Sequence, residues 1–333
     1  MITIPNPNHD PALNLAMEEY ILTASGITEP VLFYYVNAPS IIIGRHQNTL
    51  EEINTDYVRD HQIQIVRRCS GGGAVYHDLG NLNYSLIHPG DPKTSGDFSI
   101  LLTPILNALH DLGLPAELGG RNDLLLNGEK FSGNAYYHNR YGSVTHGTLL
   151  FDSDLNVLAR CLRPNPEKLS SKGIRSVRSR VCCIKNALPE IHNVDELRSA
   201  VTQRFAASES LSTRNFSEEE LEEIENLANR RYRNDIWTYG ESPAYTVRHQ
   251  LRQPGGWVDF RAGVRENVIN SARFFGDFFC TGEISDLESS LCGIHWDPQT
   301  LTSHLQKESW NSYFPELPLE SFIQCIFAEG SKT

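Results

Sequence analysis

The sequence predicts an α/β (α+β) fold in two domains, on three observations. The 333 residues are more than one hydrophobic core usually organises. Short runs rich in β-branched and aromatic residues alternate with segments of helical period. After RHQLRQPGG (Arg248 to Gly256) the texture changes, and short strand and helix segments follow. The boundary is expected near residues 247–252, with a large domain over 1–247 and a small accessory domain over 252–333.

The elements follow in order. Asn14 to Leu22 carries Leu15, Met17, Tyr20 and Ile21 roughly on one side and reads as an amphipathic helix. Val31 to Val36 and Ser40 to Ile43 read as buried strands around an Asn-Ala-Pro turn. Asn54 to Asp60 is a short helix with Asn54 or Thr55 as N-cap. Ile63 to Val66 and Asn81 to Ile87 are strands on either side of a glycine stretch, and Phe98 to Leu112 is a helix ended by Gly113. Leu124 to Ser132 is a hairpin, because Asn127-Gly128 between apolar runs is a strong short-range turn signal. Tyr136 and Tyr137 continue it, and Val144 to Phe151 is a third strand of the meander. Pro166 to Ser171, Val194 to Phe205 and Glu218 to Arg231 read as helices.

Composition narrows the function. A formal charge of −12 argues against a general nucleic-acid binder, which carries a basic face. Local basic sites survive at Arg67-Arg68 and in the run from Lys172 to Arg180. The seven cysteines show no paired C-x-x-C spacing, so free thiols in a reducing, cytoplasmic setting are expected. The first twenty residues have no basic leader or apolar run, and no stretch is long and apolar enough for a membrane span.

Three constellations carry chemistry. RRCSGGGAVYHD (Arg67 to Asp78) holds Gly71, Gly72 and Gly73 between a strand and an extended segment. No Gly-Lys-Ser/Thr follows, so it is not a Walker A loop. Its two readings are a bend in a sheet and a backbone cradle for an anion. In the hairpin, a two-residue turn sets Leu125 opposite Lys130 and Asp123 opposite Ser132. Asp123, Leu125, Lys130 and Ser132 then share one face, with Asp123 diagonal to Lys130 at about 7–8 Å between backbones. A solvated lysine is the plain alternative, but the nearby carboxylate, hydroxyl and Arg121-Asn122 pair favour a site. The third constellation is SSKGIRSVRSR (Ser170 to Arg180), read either as a solvent loop or as a flap that closes on phosphate.

Together these pieces resemble the lipoate–protein ligase A family. The likeness is carried by RRCSGGGAVYHDLGN (Arg67 to Asn81), GRND (Gly120 to Asp123), KFSG (Lys130 to Gly133), HGTLL (His146 to Leu150) and KGIRSVRSR (Lys172 to Arg180), in the family's order. NLAMEE (Asn14 to Glu19) and IGRHQN (Ile43 to Asn48) also look like family segments. The resemblance implies a fold like that of biotin–protein ligases, a mixed β-sheet flanked by helices with a small C-terminal α/β domain. It implies two half-reactions, in which lipoate and ATP give lipoyl-adenylate and a carrier lysine then takes the lipoyl group.

By the same resemblance Lys130 is the catalytic residue. Arg68, Ser70, Gly71, Gly72, Gly73, Ala74, Val75, Tyr76, Asn81, Asp123, Lys172 and Arg178 join it in holding the nucleotide. Arg68, Gly73, Val75, Lys130, Ser132, Gly133, His146 and Gly147 hold (R)-lipoate, with octanoate as a further substrate. A buried, satisfied histidine is an equal reading of His146. Asp123 is a candidate Mg²⁺ ligand, since this ion takes one or two carboxylates plus phosphate oxygens. The implied carriers are lipoyl domains of 2-oxo acid dehydrogenases and the glycine-cleavage H protein, and the expected state is a monomer. Tyr137 stands where some relatives carry arginine. Two rivals share the fold: an acyl transferase working through a cysteine, with Cys182 and Cys183 as suspects, and an inactive lipoate-binding protein.

Overall fold

The computed structural model describes residues 1–90, 96–163, 181–208, 210–240, 245–253 and 256–327. It divides into two compact units. The first comprises residues 1–43, 49–68 and 74–238, and the second residues 44–48, 69–73 and 239–333. Two short pieces of the N-terminal half, one from the IGRHQN motif and one holding the glycines, thus belong with the C-terminal unit.

The first unit is built on an eight-stranded mixed sheet. Its strands are β1 (Ile2–Ile4), β2 (Val31–Tyr35), β6 (Asn81–Pro89), β7 (Glu117–Gly119), β8 (Asp123–Leu126), β9 (Glu129–Asn139), β10 (Gly142–Leu150) and β11 (Ser212–Thr213). Their spatial order is β11-β1-β2-β6-β10-β9-β8-β7, with β1 parallel to both neighbours and the other pairs antiparallel. A small second sheet pairs β3 (Ser40–Ile43) with β4 (Gln64–Arg67) and β5 (Val75–His77). The helix α1 (Pro11–Thr23) packs against β6, β10 and β4. It starts earlier than its apolar pattern suggests, because Asp10 caps it and Pro11 suits the first helical turn.

The expected strands and the meander are present. The expected helix over 98–112 is instead two pieces, Phe98–Leu101 and Thr103–Asp111, and a proline stands at the start of the second. Proline lacks the N–H that would continue the first piece. The charged helix runs Glu218–Leu227 behind a Ser217–Glu220 capping box and ends in a π-turn over Ala228–Tyr232. The short strands β1, β7 and β11 have too few residues to show a period and escape the sequence reading. The expected helix Pro166 to Ser171 lies outside the described residues.

In the second unit β12 (Val247–Gln253), β13 (Gly256–Arg265) and β14 (Val268–Gly276) form an antiparallel meander. Its β13–β14 turn places Glu266 and Asn267 at positive φ, 52° and 59°. The helices Ile284–Ser290, Pro298–Leu305 and Leu319–Ile326 cover a core rich in aromatic rings, including Phe260, Phe274, Phe314, Phe322 and Trp310. Each such side chain contributes about 1.5–3 kcal/mol on full burial.

Candidate functional site

A tight hairpin places Lys130. Asn127 and Gly128 take φ of 53° and 81°, as a type I′ turn requires. Leu126 faces Glu129 and Leu125 faces Lys130, as the sequence implies. Past that pair the register shifts, so that Leu124 faces Ser132 and Asp123 faces Gly133. Phe131 is the extra residue of a bulge. The expected pairing of Asp123 with Ser132 is therefore off by one residue. The physical reason is that Phe131 and Ser132 are both fully buried, which strict alternation would forbid. Gly133, not Ser132, comes to lie beside Lys130. The expected diagonal separation closes into an ion pair, with Lys130 Nζ 2.7 Å from Asp123 Oδ1. Both side chains are about one-third exposed, so the pair contributes at most about 1 kcal/mol and leaves the ammonium available.

A cavity of about 600 Å³ opens beside this pair, wholly within the first unit. Ala74, Val75, Leu125, Leu150, Leu158 and Leu162 supply apolar wall, and Tyr76 and Thr148 join it. Lys130 is the one cation on that wall among the described residues. Gly133 N donates to Thr148 Oγ1 at 3.1 Å. The strand carrying Lys130 is tied on its far side, where Cys182 N donates to Lys130 O at 2.9 Å. A methyl group at Gly133 would stand 3.0 Å from Lys130 Nζ. Gly133→Ala should therefore fold normally while pushing the ammonium aside, and turnover should fall about tenfold. Unchanged turnover would show that the ammonium position is not critical.

Deeper along the same sheet face runs a buried polar row. His146 of β10 stands opposite Ser85 of β6 and Ala135 of β9, two residues along from Thr148. Its Nδ1 lies 2.9 Å from both oxygens of Glu18 on α1, and Ser85 Oγ donates to Glu18 at 2.5 Å. His146 is thus a buried, partnered histidine on the face that lines the cavity. Arg68 is buried, its Nη1 donating to Ile42 O at 3.0 Å. Burial lowers its pKa to about 10, leaving it charged at neutral pH. Asn81 is fully buried; its Nδ2 donates to Asn83 at 3.0 Å, and its Oδ1 has no partner among the described residues. The opposite sheet face takes Ser132 and Gly147. Asn134 Nδ2 donates to Ser132 Oγ at 3.2 Å, and a Cβ at Gly147 would stand 1.9 Å from Asn134 Oδ1. Arg67 is committed to structure: Nε donates to Trp237 O at 2.8 Å and Nη2 to Thr238 O at 2.7 Å.

The glycine stretch belongs to the second unit, and its three glycines differ. A Cβ at Gly71 would stand 2.2 Å from Phe278 O. Gly72 has φ +89°, a conformation that favours glycine, and its carbonyl would be 1.9 Å from a Cβ at Gly44. A Cβ at Gly73 would meet nothing within 4 Å. Ser70 is fully buried and its carbonyl accepts from Arg45 N at 2.8 Å. Packing against Phe278 thus explains Gly71, a positive φ explains Gly72, and a Cβ at Gly73 would enter open space. Lys172 and Arg178, with the basic run around them, lie outside the described residues.

Sequence reasoning missed Glu18, Thr148 and Leu150 as parts of this region, although the NLAMEE and HGTLL motifs contain them. Only the pairing of β10 with β6 and the position of α1 reveal their common face.

The lipoyl protein ligase A/B catalytic domain model matches residues 10–206, and the bacterial lipoate protein ligase C-terminus model matches residues 242–326. The chain belongs to the lipoyl protein ligase A/B family. It is an enzyme of the ligase class. This ligase is 39% identical to lipoate-protein ligase LplJ of Bacillus subtilis (strain 168), over 98% of this chain and 100% of that protein. Among solved structures it resembles a chain of a bi-partite lipoate protein ligase and its E2 lipoyl domain from Thermoplasma acidophilum. There the TM-score is 0.63 at 29% identity, covering 74% of this chain and 98% of that one. It also resembles lipoate-protein ligase A bound with ATP, with a TM-score of 0.59 at 27% identity, covering 72% and 96%.

Proposed function

We propose that this ligase joins lipoate to a lysine of a lipoyl-type carrier domain in two steps, through lipoyl-adenylate formed from ATP. The observation that carries this reading is the ammonium of Lys130, the one cation among the described residues lining a largely apolar cavity of about 600 Å³. An acyl chain needs the dry wall of Ala74, Val75, Leu125 and Leu150. Its carboxylate needs one fixed cation. Lys130 orients that carboxylate and stabilises the charge that grows on the α-phosphate as the anhydride forms. The similarity to proteins named as lipoate-protein ligases, one of them bound with ATP, supports the choice of substrates. The carrier is of the lipoyl-domain class, as in the Thermoplasma pair. In this proposal residues 1–247 carry the catalytic site and residues 252–333 form an accessory domain.

Mg²⁺ fits as a companion of the nucleotide. Asp123 and Glu129 both line the cavity and offer hard oxygen donors. No group of three or more potential ligands stands together among the described residues, so the remaining positions fall to phosphate oxygens and water. The ion would neutralise phosphate charge there, with Asp123 as its protein ligand. Asp123 would then exchange its pairing with Lys130 for the ion.

The cysteine-dependent rival is disfavoured by the thiols themselves. Burial pushes Cys182 up to about 11, and its Sγ lies 3.6 Å from Glu129 O. Burial also raises Cys183, whose Sγ lies 3.4 Å from Ser153 O. A nucleophilic cysteine needs the opposite, a stabilised thiolate. The double variant Cys182→Ser, Cys183→Ser should keep ligation within about twofold of the parent. A collapse of ligation in a folded double variant would revive the transferase. The direct test of the proposal is pyrophosphate release from ATP and Mg²⁺ with lipoate, with and without an apo lipoyl domain. Lipoate-dependent release, with AMP and a lipoylated lysine appearing only with carrier, supports it. Acyl transfer from a preloaded carrier without pyrophosphate would overturn it. Among the described residues no helix is long and apolar enough to cross a membrane.

A further inference from the structure

Three buried asparagines in the first unit form a hydrogen-bonded chain, and the backbone sets its direction. Asn14 Nδ2 lies 3.3 Å from Asn8 O, 3.5 Å from Val36 O and 2.8 Å from Asn37 Oδ1. Backbone carbonyls only accept, so this end of the Asn14 amide is its NH₂. Its other end, Oδ1, accepts from Asn6 Nδ2 at 2.8 Å. The Asn37 atom that meets the Asn14 NH₂ is therefore oxygen. The NH₂ of Asn37 then faces the remaining neighbour, His77 Nδ1, at 2.9 Å. A nitrogen that accepts this bond carries no proton.

Burial, with the charge of Arg68 and the presence of His146 behind it, lowers the His77 pKa to about 3. The ring is neutral at physiological pH, and its one proton sits on Nε2. Nε2 is buried and has no hydrogen-bond partner among the described residues. Ser40 stands opposite His77 across β3 and β5, is fully buried, and its hydroxyl has no partner there either. Buried donors are rarely left unpaired in native proteins, so this region is built to receive an acceptor.

The position of His77 indicates which acceptor. Val75 and Thr148 line the Lys130 cavity. His77 lies two residues beyond Val75 on β5, and His146 two residues from Thr148 on β10. Two residues of strand advance about 7 Å and return to the same face. A chain with its carboxylate at Lys130, laid along these strands, brings its far end toward His77. We propose that the Asn6–Asn14–Asn37 relay locks His77 as the Nε2–H tautomer, and that this N–H recognises an acceptor atom at the far end of the acyl substrate. The site then selects an acyl chain that ends in a sulfur ring over a plain alkyl chain of similar length. Thioether-like sulfur is a weak acceptor, and an alkyl terminus is none. His77 is the specificity residue, and Asn37 a positioning residue acting through it. This inference rests on lipoate as the substrate.

The first test reads the tautomer in the unmodified chain. In the ¹⁵N-histidine spectrum of the full chain, with His77→Gln for assignment, the His77 signals should show a bare Nδ1 and a protonated Nε2. A protonated Nδ1, or an imidazolium at neutral pH, overturns the lock. The second test is Asn37→Asp, nearly isosteric but able only to accept, which should move the proton to Nδ1. In that variant the ratio of kcat/KM for lipoate over octanoate, read by pyrophosphate release, should fall about tenfold. His77→Gln, which keeps an N–H donor, should retain more of the selectivity than His77→Leu. A reversed tautomer with an unchanged ratio overturns the recognition role. No turnover by the parent chain with either acid would sink the ligase reading and the recognition role together. The spectrum would then judge the relay alone.

Discussion

Lys130→Ala should lower lipoate-dependent pyrophosphate release about 10²–10³-fold, the usual loss when a fixed charge-stabilising group is removed from a reacting centre. The fold should survive. Lys130 is about one-third exposed, and its ion pair with Asp123 is a partly solvated contact of small net value. The melting temperature should accordingly stay within a few degrees of the parent. Lys130→Arg should not restore the rate, because a broad guanidinium cannot take the place of a compact ammonium beside Gly133. Near-normal release from a folded Lys130→Ala chain would mean that the carboxylate is activated elsewhere.

Gly44→Ala should be among the most damaging single-methyl changes in the chain. The added Cβ would stand 1.9 Å from Gly72 O, a backbone atom that cannot swing aside. The loop that holds this carbonyl is pinned on both sides. Ser70 O accepts from Arg45 N at 2.8 Å, and Gly71 lies against the Phe278 carbonyl. Relief therefore requires moving residues 69–73 within the second unit. Overpacking of this kind costs about 1–3 kcal/mol. The expected result is a lower melting temperature together with a loss of ligation, because the displaced loop is the one that the family resemblance assigns to nucleotide. Gly73→Ala is the informative contrast. Its Cβ meets open space, so stability should hold, and any loss of turnover reports on a ligand that approaches the backbone there. A Gly44→Ala chain as stable and active as the parent would show that the loop is softer than its contacts imply.

Parts of the site are legible in the sequence. Asn-Gly between two apolar runs specifies a type I′ turn, and the turn alone brings Lys130 to the strand beside Asp123. The alternation of Leu124 and Leu126 with Asp123 and Leu125 marks the buried side of β8. The bulge at Phe131 was not legible, since a bulge exists only relative to the opposing strand. The purpose of the glycines was legible in part. Their bareness is visible in the letters, but the atoms that demand it at Gly71 and Gly44 belong to Phe278 and Gly72.

Most of the longer strands and helices, the hairpin that presents Lys130, and a family identity carried by five motifs in order can be read from the letters alone. These follow from local rules: a period of two or 3.6 residues, a turn that needs positive φ, a cap that needs a side-chain acceptor. Three features come only from the packed chain: Gly133 rather than Ser132 beside Lys130, the meeting of Glu18 with His146, and the tautomer that Asn37 hands His77. Each of these depends on burial and on the single direction in which a hydrogen bond can run. Both are set by residues brought together from distant parts of the chain, Glu18 and His146 being 128 positions apart.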